Sequence, residues 1–183
     1  KNYQSGPLSF EYYHSKNKII TNCGFGSNFS PKTKFYSRLT SAHTTITLND
    51  TCISRFEKNE LINKTFGTSI KNDFKISNLD FIDNNNEKGL IASHNGYEEK
   101  FGCIHKRKIC ITKESEKVVG HDVLIKKDDG KPIKFALRFH LYPGLTAVKT
   151  ISGNSALIRI NKNKSLIFFV KDEKVILEKS IFL

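Results

Sequence analysis

Residues Arg38–Asp50 read RLTSAHTTITLND, a run in which apolar and polar positions alternate after a lone histidine. A strand has a side-chain period of two, so Ala42, Thr44, Ile46 and Leu48 share one face and His43, Thr45, Thr47 and Asn49 share the other. The first face carries the aliphatic residues and is the predicted core face. His43 is therefore expected opposite the core, either on a solvated polar face or on the floor of a binding surface.

The same short, β-rich character extends outward in both directions. LSFEYYH (8–14) and KIITNCGF (18–25) flank a polar SKN turn, and TTITL follows. Next comes an Asn-rich middle, SNLDFIDNNNEKG (77–89), then KFGCIHKRKICIT (100–112), HDVLIKK (121–127), a DDGKP turn and IKFALRFHLYPG (133–144). SALIRI, an NKNK turn, SLIFFV, a KDEK turn and VILEKSIFL complete the chain. No segment of a dozen residues repeats apolar positions at helical spacing. Strands joined by tight polar turns predict an all-β fold, an antiparallel β-sandwich with little helix, because stacking two sheets buries both apolar faces. The NNN stretch is expected to be a loop and not a linker, since strand-like sequence lies on both sides. Residues 1–183 are read as one domain, apparently a piece of a longer chain: there is no initiator methionine, and VILEKSIFL stops within an apolar alternation.

The formal net charge is +12, from 30 basic and 18 acidic residues. That balance favours polyanionic partners such as nucleic acid, acidic polysaccharide or anionic membrane. No run approaches the ~18 consecutive apolar residues of a membrane helix. Nucleic acid is the weaker partner, because the interleaved aromatics of single-strand binders are missing. Cys23, Cys52, Cys103 and Cys110 form no CxxC pair and have no histidine at zinc-finger spacing, so they are read as reduced, mostly buried small hydrophobes.

Two strands carry candidate binding groups. In FALRFHLYPG, Phe135, Leu137, Phe139 and Leu141 share one face, leaving Ala136, Arg138, His140 and Tyr142 on the other. That row either binds carboxylates or sulfates, Arg138 through a bidentate fork, or is an ordinary polar outer face. In CIHKRKIC, Cys103, His105, Arg107 and Ile109 share a face, so His105 and Arg107 could extend the same surface. There is no nucleophile elbow, phosphate loop or Ser-His-Asp spacing.

LSFEYYHSKNKIITNCGFG, the R-x-x-x-A-H-x-T-x-T pattern of RLTSAHTTIT, the S-R-F of Ser54 to Phe56, SHNGYEEKFGCIHKRKICIT and FALRFHLYPG, taken in order, resemble the C-terminal domain of the heparinase II/III-like family of bacterial polysaccharide lyases. The resemblance covers nearly the whole chain. It implies a β-sandwich that follows an N-terminal α/α toroid, a partner domain not contained in these residues, and that continues beyond Leu183. The implied chemistry is β-elimination on a uronic-acid polysaccharide, heparin-like or alginate-like, in the bacterial periplasm or cell envelope. The substrate carboxylate is neutralised, the C5 proton is removed, and the C4 oxygen leaves with a proton.

In that family the sandwich contributes an H-x-H-x-D run before the LSFE-like strand, an Asp at the end of the next strand and the histidine of A-H-x-T. Anchored on Leu8 to Glu11, the first histidines fall on Asn2 and Gln4, the first aspartate on Gly6 and the second-strand aspartate on Asn22. Only His43 is retained, and it is the catalytic candidate. Gln4, Asn22, His105, Arg107, Arg138 and His140 are the substrate-binding candidates. Some members bind a structural zinc through the positions of Gln4, Asn22 and His43. Two amides and one imidazole are a poor donor set, so no metal and no cofactor are expected, and His43 is predicted near Asn22 or Gln4 in a neutral polar cluster. A noncatalytic acidic-glycan-binding or structural β-module is the rival reading.

Overall fold

The computed structural model describes residues 4–24, 30–59, 61–63, 69–71, 74–115, 117–127 and 132–183. Strands make up 44% of the protein and helices 10%, which is the all-β, sandwich-like fold expected and far below the roughly one-third helix of an ordinary globular protein. The strands are β1 (Tyr12–His14), β2 (Asn17–Thr21), β3 (Ile46–Leu48), β4 (Ile76–Asp83), β5 (Glu87–Tyr97), β6 (Cys103–Thr112), β7 (Val118–Lys126), β8 (Phe135–Leu137), β9 (His140–Leu141), β10 (Thr146–Lys149), β11 (Ser155–Arg159) and β12 (Ser165–Phe169). They form four antiparallel sheets, ordered β1-β2-β9, β10-β11-β12, β3-β8 and β4-β5-β6-β7. No helix among the described residues is long and apolar enough to cross a membrane.

Local chemistry explains the punctuation. Helix α1 (Pro31–Tyr36) starts where Ser30 Oγ accepts the Thr33 N–H at 3.2 Å and proline occupies the first turn. Helix α2 (Glu98–Phe101) ends at Gly102, whose φ of 62° suits the left-handed region. The NNN stretch is the tip of a hairpin: Asn84 Oδ1 accepts the N–H groups of Asn86 and Glu87, both at 2.9 Å. The Asn-rich middle is thus a hairpin, β4 with β5. Its first strand is exposed on nearly every residue, and besides the backbone ladder Asp83 ties its end to Lys88 and Lys113.

The sheets stack in two pairs. Ile19 and Ile20 of the first sheet and Ile158 of the β10-β11-β12 sheet form one core, joined by Phe10, Phe139, Leu141, Leu166 and Phe168. Ile46 and Leu48 of β3, Ile53, Tyr97 and Cys103 form the other, with Leu124 and Leu137 packed against them. The Tyr97 hydroxyl donates to the Ile46 carbonyl at 3.0 Å, tying these two layers together. Cys23, Cys103 and Cys110 are buried, Cys52 is half-buried, and none forms a disulfide.

Two strand readings are corrected. The alternation from Ala42 to Asn49 is not one strand: Thr40–Ala42 is a single 3-10 turn and only Ile46–Leu48 is extended in a sheet. All three residues of β3 are buried because both its faces are covered, which the period-two rule does not anticipate. FALRFHLY is also interrupted. β8 pairs with β3 (Ile46 opposite Leu137), whereas β9 pairs with β2 (Thr21 opposite His140), so the chain changes sheets between Leu137 and His140. The DDGKP turn falls largely outside the described residues.

Candidate functional site

His43 follows the 3-10 turn and its N–H closes that turn on the Thr40 carbonyl at 3.1 Å. Its side chain is only 2% exposed, so the expectation that it lies off the core is wrong. The N-terminal segment covers it: a Cβ added at Gly6 would lie 2.4 Å from the imidazole Cγ. Only a glycine lets the backbone lie this close to the ring. Replacing Gly6 by Ala is expected to destabilise the protein by about 1–3 kcal/mol through overpacking, read as a shift of the denaturation midpoint. An unchanged midpoint would show that the segment yields freely.

The next two residues are fixed from several directions. The Thr44 N–H donates to Asn22 Oδ1 at 2.9 Å, its hydroxyl donates to the Thr21 carbonyl at 2.8 Å, and the Thr45 hydroxyl donates to the Pro7 carbonyl at 2.9 Å. Asn22 thus grips the backbone of Thr44, the residue after His43, and not the imidazole. Gln4 is half-buried, and the N–H of the adjoining Ser5 donates to the Arg38 carbonyl at 2.9 Å. Asn2 lies outside the described residues.

His43 Nε2 is buried with no hydrogen-bond partner among the described residues. Burial, reinforced by the positive charge His140 would carry, pushes the imidazole down to about 4, so the ring is neutral at physiological pH. His140 lies at a cleft of about 480 Å³ formed with Cys23, Leu141, Pro143, Ser180, Ile181 and Phe182. Its Nε2 donates to the Ser41 carbonyl at 3.0 Å, since a carbonyl only accepts, and Nδ1 takes the Ser180 hydroxyl at 2.9 Å. Burial lowers the His140 pKa, with the neighbouring Arg138 charge adding to the effect against the Ser41 bond.

The expected row of His105, Arg107, Arg138 and His140 does not form one surface. Arg138 turns onto β3, where it bonds the Thr47 hydroxyl and, at 3.3 Å, Asp50. His105 and Arg107 point into the core, 0% and 1% exposed. Their face of β6 is covered by the segments around Leu8 and Thr44, whose carbonyls both accept from Arg107 Nη1, at 2.8 and 2.7 Å. Arg107 Nε donates to Asp122 Oδ1 at 2.7 Å, His105 Nε2 reaches the same oxygen at 2.6 Å, and His105 Nδ1 lies 2.9 Å from His94 Nε2. His94 and Asp122 escaped the sequence reading. The signal was the cross-strand register, His94 opposite His105 and Asp122 opposite Arg107, and that register becomes countable only once the connections between the strands are known.

The residues at the family's zinc positions do not fit the metal. Asn22 Oδ1 is committed to a backbone N–H, Gln4 is an amide, and no group of three or more His, Cys, Asp or Glu converges anywhere among the described residues. Purified protein is accordingly expected to carry far less than one zinc per chain by elemental analysis. Stoichiometric zinc that survives dialysis against chelator would contradict this.

Neither a curated protein nor a solved structure matches the chain. The family described as heparinase II/III-like, C-terminal matches residues 1–183, the whole of it. With its stacked antiparallel sheets and the A-H-x-T histidine packed beneath the N-terminal segment, the chain belongs to the heparinase II/III-like family as a C-terminal domain.

Proposed function

We propose that this domain is the sandwich portion of a bacterial polysaccharide lyase that cleaves a uronic-acid polysaccharide by β-elimination beside an N-terminal toroid. The observation that carries the reading is the whole-chain family match. A charge of +12 suits an acidic glycan, since cations on the protein lower the cost of bringing the polyanion close. His43 is sealed, so its part would be to hold the segments that line the site, while His140 is the histidine at an open cleft. The base, and hence turnover, would come from the toroid. The purified 183-residue chain is expected to be inert as an eliminase. The complete gene product is expected to raise unsaturated-uronate absorbance on at least one of heparin, heparan sulfate, alginate or polygalacturonate. Cell fractionation of the source bacterium should find it in the periplasm or envelope.

A second reading, a noncatalytic acidic-glycan-binding module, is favoured by the amides at Gln4 and Asn22 and by the enclosed His43. Glycan binding by the complete protein with silence across that panel would select it. In either case, affinity for heparin should fall steeply between low and physiological salt, where the screening length shortens to about 8 Å. Equal affinity for neutral and acidic glycans would count against both.

A further inference from the structure

We infer that Arg107 is a positioning residue for the His43 segment, its guanidinium aimed by a one-way chain of hydrogen bonds through His94, His105 and Asp122. The inference rests on the proposed function only in taking the His43 segment as part of the glycan-facing site.

The direction of the chain follows from one backbone group. The Gly96 N–H donates to His94 Nδ1 at 3.1 Å, so that nitrogen is unprotonated and the proton of neutral His94 sits on Nε2. His94 Nε2–H must then donate to His105 Nδ1, which leaves His105 protonated on Nε2 and donating to Asp122 Oδ1. Asp122 is an acceptor only, and Arg107 Nε–H fills the other side of the same oxygen. Each member has one role open to it, so the chain cannot reverse while the rings stay neutral. Burial of His94, reinforced by the positive charge a protonated His105 would carry and by that of Arg107, keeps the His94 ring neutral.

The far end of the chain is where the site is held. With Nε fixed on Asp122, the planar guanidinium has one orientation left, and in it Nη1 holds the carbonyls of Leu8 and Thr44 together. Leu8 adopts a φ of 56°, uncommon for a branched side chain, and its carbonyl is one that Arg107 holds. Thr44 is thereby gripped at both of its backbone polar groups, by Asn22 on the N–H and by Arg107 on the carbonyl. His105 thus acts on Thr44 across Asp122 and Arg107 without touching it.

Amide hydrogen exchange and imidazole nitrogen shifts of the full 183-residue chain test this. Wild type should show both His94 and His105 as Nε2–H tautomers. His105→Leu cuts the chain, while His105→Gln can still accept from His94 and donate to Asp122. His105→Leu is expected to speed exchange of the Thr44 and Thr45 amides at least tenfold while the β5-β6-β7 ladder stays protected, and His105→Gln is expected to restore slow exchange. Should His105→Leu fail to fold, Arg107→Lys, which keeps the charge and loses the fork, should give the same selective loosening. Unchanged Thr44 and Thr45 exchange in the folded variant, or an Nδ1–H tautomer at either histidine, would overturn the inference. Binding of heparin, heparan sulfate, alginate or polygalacturonate by the complete protein is the separate check on the glycan reading: silence on all four would sink that reading and leave the exchange result standing.

Discussion

Lowering the pH from 6.5 to 4.5 is expected to cost this protein about 4 kcal/mol of stability through two buried histidines, most of it above pH 5, where few carboxylates are protonated. His43 and His94 are buried as neutral rings, pushed from 6.5 down to about 4 and about 3. Below pH 6.5 the unfolded chain takes up a proton at each while the folded chain does not. The unfolded state therefore binds more protons, and stability must fall as pH falls. One pKa unit corresponds to about 1.4 kcal/mol, so each ring accounts for roughly 3 kcal/mol by pH 4, against a total of about 5–15 kcal/mol for a typical domain. His140, also lowered, acts in the same direction. Asp122 is held below its usual value because the His105 bond and the Arg107 charge outweigh its burial, so its own contribution is lost only at still lower pH. Urea midpoints measured from pH 8 to 4 should be flat above about 7 and fall below 6.5 with a slope near two protons. A flat profile down to pH 4.5 would show that the two rings are not sealed as neutral groups.

Asp122→Leu is expected to cost about 3–5 kcal/mol, because it strands the Arg107 charge in a site 1% exposed and takes the acceptor from His105. Arg55→Ala supplies the scale. It removes an equally short ion pair, Arg55 with Glu99 at 2.8 Å, whose side chains are 56% and 64% exposed, and should cost under about 1 kcal/mol. The double variant Arg107→Met/Asp122→Leu should recover part of the loss, since an apolar pair carries no stranded charge. Chemical denaturation of the three proteins decides the matter. An Asp122→Leu cost no larger than that of Arg55→Ala would mean that water reaches Arg107 and that the buried chain contributes little.

Much of the fold was written locally. The Ser15–Lys16 turn of β1 and β2, the strands of KFGCIHKRKICIT and HDVLIKK, and the β11–β12 hairpin lie where alternation and turn residues put them. β4 was hidden because its apolar residues, Ile76, Leu79, Phe81 and Ile82, keep no single period and stand among Asn and Asp. β10 was missed because its four residues, TAVK, set two apolar residues side by side and contain no alternation. The candidate site was legible in identity and illegible in placement. His43 and Asn22 were named together, and the structure sets Asn22 on the N–H of Thr44, the residue after His43. His105 and Arg107 were named for an outer face and lie inside, since alternation assigns residues to opposite faces without saying which face another layer covers.

By itself, the sequence determined the all-β class, the strand and turn positions set by neighbouring residues and the charge that favours polyanions. Only the tertiary structure decided that FALRFHLY divides between two sheets, that His43 is sealed by Gly6, and that His94 and Asp122 aim Arg107 at Thr44. The physical reason is range. Side-chain period and turn chemistry act over a few residues, whereas burial and hydrogen-bond partners are set by segments up to 99 positions apart, as Arg107 and Leu8 are.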